Sequence, residues 1–377
     1  MITVLTVVGT RPEAIKMAPV ISELARHPNA IRSVVCATGQ HREMLKQTLQ
    51  QFDIIPDHEL DVMQPNQRLA DLTARLFSGL DGVIGALDPD WVLAQGDTTT
   101  TFVAAMTSFY RARRFGHVEA GLRTDDRRNP FPEEVNRRLT DVVADAFFAP
   151  TERARDALLA EGHDARAIYV TGNTVIDALL SVSAKPCAIE MLLPTVPFDR
   201  RLILITAHRR ESFGQPFREM CCGLRDLALS LADQNIHCIF PVHLNPNVQE
   251  PVRAILHDVP NLTLLKPLDY FTLVHLMKRV ELILTDSGGI QEEAPSLSIP
   301  VLVMRETTER PEGIDAGVAR LVGTDPRRIV MEATRLLTDR KAYAAMASGR
   351  NPYGDGNAAS RIVSTILGIA TPEATAA

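Results

Sequence analysis

Three acidic residues are the first in this 377-residue chain whose types and surroundings suggest chemistry. Glu119 lies in His117-Val118-Glu119-Ala120-Gly121-Leu122-Arg123, and Glu133 in Pro132-Glu133-Glu134-Val135-Asn136-Arg137-Arg138. Asp97 follows the apolar run Trp91-Val92-Leu93-Ala94, within Gln95-Gly96-Asp97-Thr98-Thr99-Thr100. Carboxylates whose environments separate their pKa values can divide acid and base duties. Residues 110–138 hold eight arginines against five carboxylates, a local +3 in a chain of net charge −6, which reads as a wall facing an anion. Each acid also has a plainer reading. Asp97 caps the next helix, and Glu119 and Glu133 are ion-pair partners of the arginines, Arg137 standing one turn after Glu133.

A second group suits phosphate. After Leu282-Ile283-Leu284 comes Thr285-Asp286-Ser287-Gly288-Gly289-Ile290-Gln291-Glu292-Glu293. Free backbone N–H groups at a helix start attract anions, and two glycines let a phosphate come close. Glu293, one turn after Gly289, can reach the vicinal hydroxyls of a ribose; the alternative is a purely structural tight turn. His208-Arg209-Arg210 follows another apolar run, where adjacent cations favour a phosphate contact over a structural histidine. In Gly9-Thr10-Arg11-Pro12-Glu13-Ala14-Ile15-Lys16, Arg11 and Lys16 stand near a helix start that favours an anion, or belong to a solvated first turn. No GxGxxG follows the first run, so a dinucleotide site gains little support. Arg310 closes one more loop, residues 305–310.

These loops need a scaffold that brings them to one edge. Apolar runs at residues 2–8, 33–37, 91–94, 168–170, 202–206, 236–241, 282–285 and 301–304 each end in a Gly, Thr, Ser or Asp turn and lead into a helical pattern. That rhythm predicts parallel, doubly wound sheets covered on both faces. Ligands in such sheets sit at the carboxyl ends of strands. The proline-punctuated segment 173–200 divides the pattern into Rossmann-like domains at 1–172 and 201–353, with a cleft between them.

Composition narrows the classes further. Hydrophobic residues at 45% and charged residues at 23% fit a globular protein and not a disordered or coiled-coil chain. Forty Lys and Arg against 46 Asp and Glu give no general attraction to nucleic acid or an anionic membrane. Five scattered cysteines without a CxxC make no disulfide framework. The longest uncharged stretch, 234–249, is shorter than the ~18 residues of a membrane span. With no basic leader at the N-terminus, the expected location is the cytoplasm.

Read together, Gly9 to Lys16, Gln40-His41-Arg42-Glu43-Met44-Leu45, Gly96-Asp97-Thr98-Thr99-Thr100, His117 to Arg123, Pro132-Glu133-Glu134 with Asn136-Arg137, His208-Arg209-Arg210-Glu211-Ser212, Pro241-Val242-His243-Leu244-Asn245-Pro246, Thr285 to Glu293 and Glu309-Arg310-Pro311-Glu312 resemble the bacterial non-hydrolysing UDP-N-acetylglucosamine 2-epimerases. The resemblance implies a GT-B-like α/β fold with a C-terminal helix, 354–377, returning to the first domain. It implies reversible conversion of UDP-N-acetylglucosamine to UDP-N-acetylmannosamine, through loss of UDP to a 2-acetamidoglucal and re-addition, with no NAD, other cofactor or metal. Asp97, Glu119, Glu133 and His208 are then the catalytic set, His208 on the nucleotide side. Arg11, Lys16, Ser287, Gly288, Gly289, Glu293 and Arg310 bind substrate and UDP, with Leu268 and Leu273 at the uracil. A second UDP-N-acetylglucosamine as activator would use Gln40, His41, Gln67, Arg209 or Arg210, and His243. The resemblance further implies a homodimer supplying N-acetylmannosamine for cell-surface polysaccharide. Departures are Gln95 for a common His, Ala207 for a Gly, and Leu268 and Leu273 for a Gln and a Phe. A hydrolysing relative or another GT-B UDP-sugar enzyme is the alternative.

Overall fold

The computed structural model describes residues 1–39, 42–64 and 67–370. Gln40 and His41 lie outside the described residues. The chain forms two compact units, one of Met1–Ala178 with the segment from Gly354 onward, the other of Leu179–Tyr353.

The first unit carries a seven-stranded sheet. Its strands are β1 (Ile2–Val8), β2 (Ile31–Ala37), β3 (His58–Glu59), β4 (Trp91–Gln95), β5 (Arg114–Val118), β6 (Ala146–Ala149) and β7 (Ile168–Val170). The order is β3-β2-β1-β4-β5-β6-β7, and every pair is parallel. The winding direction reverses between β1 and β4, so the loops after those two strands lie side by side at a switch point. Gly9 is required there, because an added Cβ would run into the hydroxyls of Thr38 and Thr100.

One face of this sheet packs Val4, Val8 and Val35 against Met17 and Leu24 of the helix Arg11–Ala25. Ile362, Val363 and Ile366 of the helix Ala358–Ala370 complete the same core. Burying each such side chain contributes about 1.5–3 kcal/mol. The start of this last helix is tied down by Asp177, whose carboxylate accepts the backbone N–H of Ala358 at 3.2 Å and of Ala359 at 2.9 Å.

The second unit repeats the pattern with six strands: β8 (Arg201–Thr206), β9 (Ile236–Pro241), β10 (Leu262–Leu265), β11 (Leu282–Thr285), β12 (Val301–Val303) and β13 (Ala319–Leu321). Their order, β10-β9-β8-β11-β12-β13, reverses between β8 and β11. That brings the His208 loop next to the Asp286-Ser287-Gly288-Gly289 loop. Among the described residues no helix is long and apolar enough to cross a membrane.

Candidate active site

In the first unit the loops after β1, β4 and β5 assemble the acids. Glu119 directly follows β5 with φ +65°, a left-handed conformation that a non-glycine residue keeps only where its surroundings over-determine it. Its Oε1 accepts Lys16 Nζ at 2.6 Å and Asn173 Nδ2 at 2.9 Å, and its Oε2 accepts the Gln95 amide. The Glu119 side chain is buried under these donors. Lys16, expected from the sequence beside a diphosphate, here balances Glu119.

Asp97 does not cap the helix Thr99–Tyr110. Thr98 does, accepting the Thr101 N–H at 3.2 Å. The Asp97 carboxylate is left to Arg137 Nη2 at 2.7 Å, with its side chain 30% exposed. Asn136 Nδ2 holds the Asp97 carbonyl at 3.0 Å. Arg137 therefore pairs with Asp97 and, at 3.7 Å, with Glu134, and among the described ion pairs not with Glu133. Glu133 opens the helix Glu133–Val143, and its Oε2 is enclosed without a hydrogen-bond partner. Such an oxygen is costly until a donor reaches it.

The arginine-rich stretch is not an open wall for an anion. Arg111 pairs with Asp81, Arg113 with Asp88, Arg123 with Asp141 and Glu161, and Arg138 with Asp125, Glu134 and Glu161. Its excess charge is consumed by carboxylates from elsewhere in the unit. Beneath Asp97, fully buried His117 bridges Asp141 Oδ1 at 2.6 Å and the Gly96 carbonyl at 2.7 Å. Burial pushes the Asp141 carboxyl up, but His117 and Arg123 outweigh it and hold it below the usual range.

Glu13 was not singled out by its sequence position, yet it ties two of these loops together. Its Oε2 accepts the backbone N–H of Gly9 at 3.0 Å and of Thr10 at 2.5 Å, and its Oε1 accepts the hydroxyls of Thr98 at 2.6 Å and Thr101 at 3.2 Å. Burial raises its pKa against the pull of those donors. Glu13→Ala would strand donors in the interior and should cost about 3 kcal/mol in urea unfolding. Glu13→Gln, which keeps an acceptor oxygen, should lose less than half of that. An alanine variant as stable as the parent would show that the network contributes nothing.

In the second unit, Asp286 at the end of β11 accepts the backbone N–H groups of His208 and Arg209 on its Oδ2, both at 2.7 Å. Its Oδ1 is buried without a hydrogen-bond partner, 3.6 Å from His208 Nδ1. Burial lowers the His208 imidazole below its ordinary value; His243 and Arg209 push the same way and Asp286 opposes them. The His208 and His243 rings stack 5.3 Å apart. A Cβ added at Gly288 would come within 3.4 Å of the Arg209 guanidinium and 3.7 Å of that of Arg310, so two cations flank the glycine loop. Arg310 is held by Glu292, and Glu309 stands 3.9 Å from Arg209 and 3.8 Å from Arg310. Glu293 is buried and accepts the Tyr270 hydroxyl at 2.7 Å.

Leu268 precedes the helix Tyr270–Met277 and Leu273 lies on it, both half-buried. Arg11 opens the first helix of its unit. Gln67 accepts the Gln64 N–H at 3.1 Å and also binds Arg75, within the first unit. Arg209, Arg210 and His243 belong to the second. Besides Glu13, the residues that sequence reasoning passed over are Asp286, Asn173, Tyr270 and the His117–Asp141 pair. Asp286 alone carried a signal, an acid directly after a buried strand.

Comparison with known proteins fits this geometry. Residues 22–367 match the model of the family described as UDP-N-acetylglucosamine 2-epimerase. The UDP-N-acetylglucosamine 2-epimerase of Escherichia coli K12 is 52% identical over 370 residues, 96% of this chain and 98% of that protein. The crystal structure of UDP-GlcNAc 2-epimerase from Neisseria meningitidis bound to UDP-GlcNAc is similar with a TM-score of 0.89 at 48% identity, covering 97% of this chain and 100% of that one. The Methanocaldococcus jannaschii UDP-GlcNAc 2-epimerase in complex with UDP-GlcNAc and UDP reaches 0.80 at 30% identity, covering 97% and 99%. Two doubly wound parallel sheets with these neighbours make the fold GT-B-like. Since the match runs through both units, the chain belongs to the UDP-N-acetylglucosamine 2-epimerase family.

Proposed function

We propose that the protein interconverts UDP-N-acetylglucosamine and UDP-N-acetylmannosamine by eliminating UDP across C1 and C2 and adding it back. In the forward direction a carboxylate of the first unit takes the C2 proton as the C1–O bond to the diphosphate breaks, leaving a 2-acetamidoglucal and UDP. Return of UDP to C1, with protonation of C2 on its other face, gives the epimer. Proton and leaving group both come back, so the cycle needs no oxidant and no hydride carrier. The observation that carries this reading is the set of acids at Asp97, Glu119 and Glu133, with Glu119 held in strained backbone by Lys16, Gln95 and Asn173.

In this proposal the enclosed Glu133 Oε2 finds its missing donor in the substrate. Charge developing on the departing diphosphate is taken by His208, Arg209, Arg310, the Ser287 hydroxyl and the backbone N–H groups of Gly288 and Gly289, the Ser287 N–H being held by the Thr285 hydroxyl at 2.9 Å; preorganised stabilisation of this kind lowers such barriers most. Arg11 is a further diphosphate contact in this proposal. Glu293, oriented by Tyr270, receives the ribose hydroxyls, and Leu268 and Leu273 flank the uracil. The same proposal includes activation by a second UDP-N-acetylglucosamine through Gln67, Arg209 or Arg210, and His243. It also includes the domain division at 173–200, a homodimeric state, a cytoplasmic location and supply of N-acetylmannosamine for surface polysaccharide.

Incubation with UDP-N-acetylglucosamine in D2O tests the chemistry. Deuterium at C2 of both epimers is expected, with the UDP-sugar conserved. Epimer carrying its original C2 hydrogen would overturn the elimination route, and free N-acetylmannosamine accumulating with UDP would identify a hydrolase instead.

A further inference from the structure

We infer that Asp286 is a positioning residue that couples the charge of His208 to the presence of a diphosphate, its Oδ2 fixing the histidine loop and its Oδ1 serving as the acceptor for a protonated Nδ1. The inference rests on the reading above in which His208 faces the diphosphate.

The argument starts from topology. β8 and β11 are neighbours in register, Thr285 opposite Thr206, so the residues just beyond them are forced together at the switch point. Asp286 is fully buried there, and its two oxygens have different duties. Oδ2 takes two backbone N–H groups at 2.7 Å, which sets the position of the His208 and Arg209 main chain. Oδ1 has no hydrogen-bond partner. A buried carboxylate oxygen left unpaired is costly, and one that could be satisfied by a small ring rotation asks for a state in which it is. The nearest candidate is His208 Nδ1 at 3.6 Å, too long for a hydrogen bond as it stands.

The charged groups facing the imidazole explain why that bond is not already made. Arg209 is adjacent on the same loop, and His243, from the loop after β9, stacks on the ring at 5.3 Å with planes only 13° apart. Both oppose a second positive charge, burial does so too, and Asp286 alone is set against them. Without an anion the imidazole therefore stays neutral. A diphosphate at the glycine loop reverses the balance: its negative charge favours imidazolium, the ring turns, and Nδ1–H donates to Oδ1 while the other nitrogen donates to a phosphate oxygen. The cation then exists only when there is a leaving-group charge to stabilise, and the protonated ring is held in one orientation.

Histidine-labelled protein, titrated by NMR from pH 5.5 to 8.5 with and without saturating UDP, tests this. The His208 signal is assigned by its loss in His208→Gln. In the parent protein UDP should raise the His208 midpoint by at least one pH unit, a tenfold change in proton affinity, and reveal a hydrogen-bonded Nδ1–H. In Asp286→Asn the rise should fall to less than half. A purely structural Asp286, pinning the loop and nothing more, predicts equal shifts in both proteins and would refute the coupling, as would a UDP-bound parent with an unmoved midpoint or no Nδ1–H signal. The last two results need no variant, so misfolding of Asp286→Asn leaves the test intact. Failure to bind UDP at all would instead overturn the functional reading on which the inference stands.

Discussion

Replacing Glu119 by glutamine should lower kcat about 1,000-fold, within the range set by loss of a proton-transferring group, while UDP affinity changes less than about threefold. Glutamine keeps the size and one acceptor oxygen, so Asn173 retains a partner, but it can neither take nor return a proton at neutral pH. The change also removes the negative charge that Lys16, largely buried, pairs with at 2.6 Å, even where the glutamine oxygen still accepts from it. Removing one partner of such a pair should cost about 3 kcal/mol in urea unfolding. Two quantities therefore move for different reasons, and Lys16→Met separates them: it should reproduce much of the stability loss with a smaller fall in kcat. Were Glu119 only the counter-ion of Lys16, the two variants would lose stability and turnover alike, and Glu119→Gln would keep most of its activity at a temperature where both proteins are folded.

The strands that run without interruption were legible because nothing in them competes with the β pattern. Residues 2–8, 236–241 and 282–285 are strands at those same bounds. β5 was hidden because Arg114-Phe115-Gly116-His117-Val118 mixes a cation, a glycine and a histidine into a central strand. The reasons are tertiary. A Cβ at Gly116 would collide with Leu93 and Phe148, and His117 is satisfied only by Asp141 and the Gly96 carbonyl, 24 and 21 residues away. Short β6 and β13 offer four and three residues, too few for a period to register.

The candidate site divides along the same line. Residue types at strand ends can be read from spacing, but partner choice cannot. One turn of helix suggested Arg137 for Glu133, yet the fold delivers the loop after β4 to that guanidinium, and Asp97 takes it. Capping by Asp97 was equally reasonable until Thr98, one residue later, met the geometry. Within residues 110–138, Arg111, Arg113, Arg123 and Arg138 take partners among Asp81, Asp88, Asp141 and Glu161, carboxylates outside that stretch of sequence that the fold brings to it. Spacing locates chemistry, and packing decides which charges remain available for a ligand.

The glycine loop offers the complementary expectation, in which binding and not proton transfer is lost. Gly288→Ala should leave stability within about 1 kcal/mol of the parent, because Gly288 opens a helix where alanine has the better propensity. The free protein also has room: the new Cβ would sit 3.4 Å from Arg209 and 3.7 Å from Arg310, ordinary contact distances. The methyl group nevertheless occupies the space through which a phosphate oxygen approaches the backbone N–H groups and those same guanidiniums. Losing one charge-assisted hydrogen bond is worth about 1.5–3 kcal/mol, so UDP should bind roughly 10–100-fold more weakly by calorimetry. Gly288→Val, whose branches meet both arginines, should weaken it further while unfolding at nearly the same urea concentration. A tight turn serving structure alone predicts the reverse pattern, with stability falling and UDP affinity unmoved. The ordering of parent, alanine and valine in affinity, set against flat stability, distinguishes a cradle for phosphate from a bend in the chain.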